Sequence, residues 1–374
     1  MTGAGMKRRE FIQKSASVAG LSFVSCGLGT LAGCGESANG SERRKVVING
    51  KRMRTIDIHC HSYVHDVWPL VEGRDELGYL MPVVNTPPLR NKLDINNVDF
   101  RLQQMDEQGI DIQAVSLHVG QYHHWADRDL ATEIVGIQNA KIAELCTTHP
   151  DRFVGMGAVA LQHPDLAVEQ MKYAIREYDM RGFMITGSVN DEELSNPKYH
   201  PFWAAAEELG TVIFIHPRNF PAGQSRLEGN GRLDNVIGNP LETTVALSHL
   251  IFEGTLDKYP GVKICAAHGG GYLPSYIGRS DHCVENWPAE CKPVDKLPSQ
   301  YLPQLYFDTL VYSTENLRHL IRTVGADRLV IGTDFPFNMS KKDAVDHLLS
   351  VSELSPEEQE AILGGTLAKL LGIA

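Results

Sequence analysis

Residues 56–61 read Ile-Asp-Ile-His-Cys-His, and the interpretation of the whole chain starts from this stretch. Side chains alternate between the two faces of a β-strand, so His59 and His61 share one face and Cys60 occupies the other. The run ends at Ser62, which places both imidazoles at the carboxyl end of the strand. Two imidazoles on one face are half of a divalent-metal site, although a lone His-x-His is also common as strand-surface polarity. The pair therefore predicts a metal site only if other strands end in further ligands.

Beyond Arg54 the chain alternates short apolar, often β-branched runs with amphipathic stretches. The segment Phe202–Leu209 shows the helical period, because Glu207 and Glu208 fall opposite its apolar positions. The predicted strands are Thr55–Cys60, Asp111–Leu117, Phe153–Leu161, Gly182–Thr186, Val212–His216, Val262–Ala267, Leu305–Leu310 and Arg328–Gly332. The predicted helices are Asn97–Gln108, Ala131–Thr147, Asp165–Tyr178, Phe202–Leu209, Glu242–Phe252, Thr314–Val324 and Ser340–Leu349.

Strands that alternate with helices indicate an α/β fold with a parallel sheet, and eight of them favour closure into a (β/α)8 barrel. The alternative is an open doubly wound sheet, which would carry a Gly-rich phosphate turn after the first strand. Here the corresponding residues, 59–62, are His-Cys-His-Ser and include no glycine. Residues 66–96, rich in Pro and Gly, are predicted to form a long loop on the face where barrels keep their chemistry.

Composition excludes several classes of protein. The chain has 374 residues, 43% of them hydrophobic, and a formal net charge of -11. Because it contains no long run of Lys and Arg, a nucleic-acid partner is not expected. An acidic body still permits a small anionic substrate, since a local pair of arginines is enough. Seven cysteines without a CxxC motif argue against a zinc ribbon. The sequence does not decide whether Cys283 and Cys291 form a disulfide.

The first fifty residues resemble an export signal and a linker. Residues 7–14 carry twin arginines before an apolar pair, and a mild apolar run follows from residue 16 to 31, as in twin-arginine signals. The run closes with Leu-Ala-Gly-Cys at 31–34, which resembles a lipobox with Cys34 as the lipid-bearing residue. The alternative is that Cys34 carries no lipid and merely lies near a cleavage site made of small residues. The sequence thus predicts a signal over 1–34, a flexible tether over 35–50 and a barrel over 51–374, either periplasmic or anchored to the membrane as a lipoprotein.

Further ligand-type side chains end three of the later strands. The fifth predicted strand ends in His216, the sixth is followed by His268 and three glycines, and the eighth is followed by Asp334. Imidazole nitrogens with one carboxylate suit zinc, while iron, manganese and cobalt are also compatible. The fourth strand ends Ile-Thr-Gly at 185–187 and offers no Lys that could be carboxylated to bridge two ions. A mononuclear centre is therefore predicted.

The order of these motifs resembles the amidohydrolase superfamily. The motifs are His-x-His at 59–61, His-Pro at 216–217, Ala-His-Gly-Gly-Gly at 267–271 and Gly-Thr-Asp-Phe-Pro-Phe at 332–337. The chain is most similar to the aminocarboxymuconate-semialdehyde decarboxylase branch, with supporting stretches at 105–110, 150–155, 240–244 and 273–279. The resemblance spans residues 54–372 and implies a metal-dependent barrel. The ligands that it implies are His59, His61, His216 and Asp334, with His268 as the acid/base beside the metal and Asp334 also in a catalytic role.

The resemblance also implies substrate-binding arginines and a homodimer. Arg279 is implied to bind a substrate carboxylate across a dimer interface. Arg90 lies near the position of another substrate-binding Arg, although Leu89 competes for the aligned position. Arg218 stands where the relative has an aromatic residue, and Asn235 replaces a second aromatic residue. The sequence therefore predicts a preserved metal site with an altered substrate site.

Two reaction classes fit this set of residues. The leading hypothesis is a metal-dependent carboxy-lyase that decarboxylates an unsaturated or aromatic carboxylic acid without oxidation. The alternative is a mononuclear metal-dependent hydrolase of a lactone or amide, and an arginine clamp would favour the lyase. The third hypothesis is a metal-binding protein without catalytic activity. The presence of His268 counts against it, because a storage site needs no acid/base. His118, His123 and His124 are predicted to be solvated loop residues, with His123 or His124 close enough to contact substrate.

Overall fold

The computed structural model describes residues 42–74, 87–291 and 294–373. Residues Ser41–Ala374 form one compact unit. The export signal and lipid site predicted over 1–34 lie outside the described residues. In the described part of the chain, no helix is both long and apolar enough to cross a membrane.

Eight parallel strands form one sheet, as the sequence predicts. They are β1 Ile56–Ser62, β2 Ile112–Leu117, β3 Phe153–Gly157, β4 Gly182–Thr186, β5 Val212–His216, β6 Lys263–Ala266, β7 Leu305–Asp308 and β8 Leu329–Val330. Each strand pairs with the next in chain order, from β1 to β8. The third, sixth, seventh and eighth strands end earlier than predicted, at Gly157, Ala266, Asp308 and Val330.

The sheet closes between β1 and the segment that follows β8. The Ile58 amide donates to the Ile331 carbonyl at 3.0 Å, and bridges join Asp57 to Ile331 and Cys60 to Phe335. An open doubly wound sheet would leave both edge strands unpaired. The fold is therefore the predicted (β/α)8 barrel, and its closure brings the residues after β8 beside His59 and His61.

Helices occupy the connections between the strands. The main ones are α1 Val98–Gln108, α2 Arg128–Thr148, α3 Pro164–Tyr178, α4 His200–Leu209, α5 Asn239–Phe252, α6 Leu273–Asn286 and α7 Thr314–Val324. Shorter helices cover Trp68–Val71, Pro87–Leu93, Thr255–Lys258, Ala344–Leu349, Pro356–Glu360 and Thr366–Leu371. The helix predicted from Ser340 begins at Ala344 instead, because the Lys341 amide donates to the Thr333 carbonyl at 2.8 Å and ties this stretch to the end of β8. The predicted loop at 66–96 contains two of the short helices.

The folded body starts before residue 51, within the stretch where the sequence predicts a tether. Val46 is 3% exposed, and a hairpin pairs Val47–Ile48 with Lys51–Arg52. Arg43 and Arg52 donate to one oxygen of Asp111 at 2.8 and 2.5 Å. These contacts join the hairpin to the start of β2.

A disulfide joins Cys283 at the end of α6 to Cys291 in the segment that follows. The sequence left this pairing open. Among the described residues, Cys60, Cys146 and Cys265 are free thiols.

Candidate metal centre

Four buried side chains converge at the carboxyl end of the barrel. Their ligand atoms, from His59, His61, His216 and Asp334, all lie within 4.8 Å of one another. The two histidines of β1 share a face because they are two residues apart, His216 ends β5, and Asp334 follows β8. These are the four side chains that the sequence pointed to, and the fold brings them together at one end of the barrel.

Each imidazole of this cluster is oriented by a hydrogen bond at Nδ1, which leaves Nε2 for the centre of the cluster. The contacts are His59 to Asp308 Oδ2 at 2.6 Å, His61 to the Leu117 carbonyl at 3.1 Å and His216 to the Pro217 carbonyl at 2.8 Å. Nε2 of His216 is buried and has no hydrogen-bond partner among the described residues. A buried nitrogen without a partner is costly, and a bound cation would satisfy it. Three aligned nitrogens and one carboxylate fit a single divalent ion.

The electrostatics of the cluster also suit a cation. Burial raises the pKa of Asp334, but the charge of His59 and hydrogen bonds from His59 and His61 outweigh it and hold that pKa well below its usual range. Burial lowers the pKa of both His61 and His216. For His59, burial lowers the pKa, but Asp334 and Asp308 outweigh it and raise the value to about 10. Because a metal ligand must be deprotonated, an ion that binds here displaces the His59 proton, and its affinity rises with pH.

His268 lies beside the cluster without belonging to it. Its ring centroid is 5.0 Å from that of His59 and 5.2 Å from that of His216. Burial, followed by the charge of His59, lowers the pKa of His268 to about 4, so the imidazole is neutral near pH 7. His268 and Asp334 both have positive φ, 55° and 59°. Such strain in non-glycine residues is typical of functional sites.

Three consecutive glycines after His268 form a tight turn. Gly269, Gly270 and Gly271 all have positive φ, and a Cβ on Gly271 would lie 2.1 Å from the Pro240 carbonyl oxygen. The turn therefore packs directly against the start of α5, which explains why glycine is needed there.

Asp308, at the end of β7, supports the centre and was missed from the sequence. Its Oδ2 accepts from His59, while its Oδ1 accepts from the Gly269 amide at 2.8 Å and the Leu310 amide at 3.1 Å. One carboxylate therefore orients a predicted ligand and fixes the turn that carries His268. The sequence did indicate its position, because Asp308 lies near the carboxyl end of the predicted seventh strand, at the same end of the barrel as the predicted ligands.

Asp308→Asn is expected to weaken metal binding by about 10- to 100-fold, because carboxylates that accept a hydrogen bond from a metal-bound histidine contribute that much. Titration against a chromophoric chelator measures the dissociation constant. Asp327→Asn is the matched control, since Asp327 is exposed and lies outside the barrel mouth. Equal affinities in parent and Asp308→Asn would show that the carboxylate does not orient the ligand.

A buried network holds the backbone of the β1 ligands, and sequence reasoning did not find it. Asp57 accepts from the His59 amide at 3.0 Å and from the Thr333 hydroxyl at 2.7 Å. Arg101, 2% exposed, donates to Gln113 Oε1 at 2.9 Å and to the carbonyl of His61. These bonds join α1, β1, β2 and the end of β8 beneath the four ligands.

The three predicted substrate arginines occupy different places. Arg218 is half-buried, and its Nη1 donates to the Tyr122 carbonyl at 3.1 Å, so it lies against the loop after β2. Arg279 is exposed on α6. Arg90 is exposed on the short helix Pro87–Leu93, where its charge acts on Tyr63. Arg218 and Arg90 thus lie in connections that leave the carboxyl end of the barrel, after β5 and β1 respectively.

The prediction of solvated histidines after β2 is wrong. His118, His123 and His124 are 6%, 6% and 7% exposed. The Gln121 side chain draws this loop inward, because it bonds both the amide and the carbonyl of Val64 at 2.9 Å. The His118 ring then lies 6.4 Å from that of His61, between centroids.

Phe337 forms a flat apolar wall beside the cluster. Its ring centroid lies 5.3 Å from that of His61 and 5.4 Å from that of His118. The ring therefore lies between the cluster and the loop after β2.

Comparison with known proteins gives a consistent result. The model of a family described as amidohydrolase matches residues 56–373. The 2-amino-3-carboxymuconate-6-semialdehyde decarboxylase of Dictyostelium discoideum is 28% identical over 335 residues, which cover 86% of this chain and 92% of that protein. The gamma-resorcylate decarboxylase of Rhodococcus jostii is 31% identical over 66% of this chain and 78% of its own length. A dihydroxybenzoic acid decarboxylase from Polaromonas, solved with manganese and 2-nitroresorcinol, superposes with a TM-score of 0.71 at 27% identity, covering 86% of this chain and 97% of that one.

Proposed function

The chain belongs to the amidohydrolase family, and on that basis we propose that it is a metal-dependent carboxy-lyase. Its substrate is an unsaturated or aromatic carboxylic acid, which it decarboxylates without oxidation. The observation that carries this proposal is a complete donor set with a separate neutral imidazole, His268, in a chain whose relatives are decarboxylases. The hydrolase alternative uses the same five residues, and the similarity to two classes of decarboxylase favours the lyase.

One divalent ion completes the site, and zinc is proposed, with manganese, iron and cobalt as alternatives. His59, His61, His216 and Asp334 would hold it. When bound, it supplies positive charge for the substrate's carboxylate or a neighbouring oxygen. The related Polaromonas decarboxylase was solved with manganese, which supports manganese as the first alternative to zinc.

The protein's own residues transfer the proton that the reaction requires. Decarboxylation breaks the bond between the carboxyl carbon and its neighbour, releases carbon dioxide and forms a carbon–hydrogen bond in its place. His268, neutral and beside the donor set, can take a proton from a water molecule or from a hydroxyl of the substrate and deliver it to that carbon. Phe337 packs against the face of the substrate and keeps its plane fixed relative to His268.

The arginines bind the substrate's anionic oxygens. Arg218 acts from the barrel mouth of the same chain. Arg279 lies exposed on α6 near Tyr276, which is 71% exposed, so we propose that this face contacts a second copy and that Arg279 serves the partner's site in a homodimer. Arg90 is proposed as an auxiliary contact. Export by the twin-arginine route, with a lipid on Cys34, also remains a proposal.

The test is carbon dioxide release by the purified protein, combined with metal analysis by mass spectrometry. We expect about one divalent ion per chain and stoichiometric carbon dioxide from at least one acid in a panel that includes 2,6-dihydroxybenzoate. Ring opening of lactones without carbon dioxide from any acid would instead establish the hydrolase. If the protein is purified without chelators and still holds no metal, both the lyase and the hydrolase proposals are contradicted.

A further inference from the structure

A groove lies on the outside of the barrel, near the place where the sheet closes. It is lined by α1, by the short helix Pro87–Leu93 and by the segment that follows β8, and its volume is about 270 Å³. In a (β/α)8 barrel the helices surround the sheet, so a groove along α1 lies outside the ring of strands. Its volume is near the lower end of the range for small-molecule sites and suits one aromatic ring with a small substituent.

The floor of the groove is aromatic. Phe100 on α1 and Phe335 after β8 both line it, and their ring centroids are 6.0 Å apart. The Phe335 side chain is held in place from α1, because the guanidinium carbon of Arg101 lies 4.8 Å from its ring centroid. Phe335 is 3% exposed, whereas Phe100 is half-buried and presents part of its ring to solvent. A flat apolar group can therefore stack in the groove.

The rim of the groove is cationic. Lys92, on the short helix, and Lys342, after β8, both line it and are both exposed. The neighbouring Lys341 pairs with Asp343 at 2.8 Å, whereas Lys92 and Lys342 form no ion pair with any described residue. Among the described residues, no Asp or Glu lines the groove. Two unpaired ammonium groups on a chain of net charge -11 indicate that this groove takes an anion.

The groove and the metal centre lie on different sides of the segment after β8. Asp334 Oδ1 is 3.1 Å from His61 Nε2, while the next residue, Phe335, packs on α1. Phe337 lines the groove, and its ring centroid is 5.3 Å from that of His61. An occupant of the groove therefore contacts the segment that carries Asp334 and is a molecule separate from any substrate at the metal ligands.

We propose that this groove is a second binding site, which holds a small aromatic carboxylate outside the barrel. The ring of the ligand stacks on Phe100 and Phe335, and its carboxylate lies between the ammonium groups of Lys92 and Lys342. The site requires neither the metal ion nor His268, so it does not depend on the proposed reaction. Because the ligand contacts the segment that carries Asp334, an aromatic acid bound here is an effector rather than a substrate.

The test uses three probes that cannot release carbon dioxide. Benzenesulfonate carries the ring and one negative charge, methyl phenyl sulfone has a similar shape without the charge, and methanesulfonate has the charge without the ring. Saturation-transfer NMR titrations of the full-length, metal-loaded protein give the dissociation constants. We expect benzenesulfonate to bind about 3- to 10-fold more tightly than the sulfone, since two exposed ion pairs contribute about this much. Methanesulfonate should bind at least about 3-fold more weakly, because it cannot stack.

Two sets of variants locate the bound probe. The double variant Lys92→Gln/Lys342→Gln should bind benzenesulfonate and the sulfone equally, whereas Lys172→Gln, at an exposed position on α3, should keep the parent's preference. Gln104→Glu places a negative charge on the lining and should weaken benzenesulfonate about 3-fold or more. Gln103→Glu is its matched control, because Gln103 and Gln104 each donate to Glu107 at 2.8 Å but only Gln104 lines the groove.

Four results would overturn this site. The parent could bind benzenesulfonate and the sulfone equally, or bind neither one. A preference that survives in both the double-lysine variant and Gln104→Glu would place the anion elsewhere, such as at the metal centre. An equal loss in Gln103→Glu and Gln104→Glu would show a general effect of surface charge. Melting temperatures identify a variant that fails to fold, and the other set then carries the test.

Discussion

His268→Asn is expected to lower kcat for decarboxylation by about 100- to 10,000-fold, the usual contribution of a general acid/base. The amide cannot take up and return a proton, yet it keeps a polar side chain of similar reach. Metal content should stay unchanged, because the four converging ligand atoms belong to other residues. Steady-state rates of carbon dioxide release, with metal analysis of the same samples, measure both quantities.

His319→Asn is the control for this substitution, since His319 is exposed on α7. It should retain the parent's rate. Loss of the metal in His268→Asn would identify His268 as a ligand rather than an acid/base. A rate within a few-fold of the parent would assign proton transfer to another group, and Asp334 would be the next residue to test.

The positions of the strands and of the four converging side chains could be predicted from the sequence. Each strand is a short apolar run, so its end is visible locally, and a barrel gathers all strand ends at one mouth. His216 and Asp334 were therefore identifiable without knowing any contact between them. The predicted bounds of β4 and β5 match the structure, because both are wholly buried apolar runs.

The contacts of the supporting residues could not be predicted, because their partners are distant in sequence. Asp57 bonds Thr333, 276 positions away, and Asp308 bonds His59, 249 positions away. Neither contact leaves a local pattern. The burial of His118 depends on a glutamine that pairs with Val64, and polar composition alone made this loop look solvated. Arg279 is exposed on α6, so the contacts within one chain do not test its predicted role.

Asp334 contributes more charge to the centre than any other predicted ligand. Its Oδ1 lies 3.2 Å from His59 Nε2 and 3.1 Å from His61 Nε2. The other three ligands are imidazoles and bind metals as neutral groups. Removal of this carboxylate leaves three neutral nitrogens and no anion to balance a divalent ion.

Asp334→Asn is therefore expected to lose at least about 100-fold in metal affinity, and its decarboxylation should fall to background. The amide nitrogen of the new side chain can donate to the unprotonated Nε2 of His61, so the apo protein should remain folded. Because a ligand that binds only the native state stabilises it by RT ln(1 + [L]/Kd), added zinc or manganese should raise the melting temperature of the parent by several degrees and leave Asp334→Asn unchanged. Asp327→Asn should respond as the parent does. An equal rise in Asp334→Asn would mean that the ion binds without this carboxylate, and the proposed four-residue centre would then be wrong.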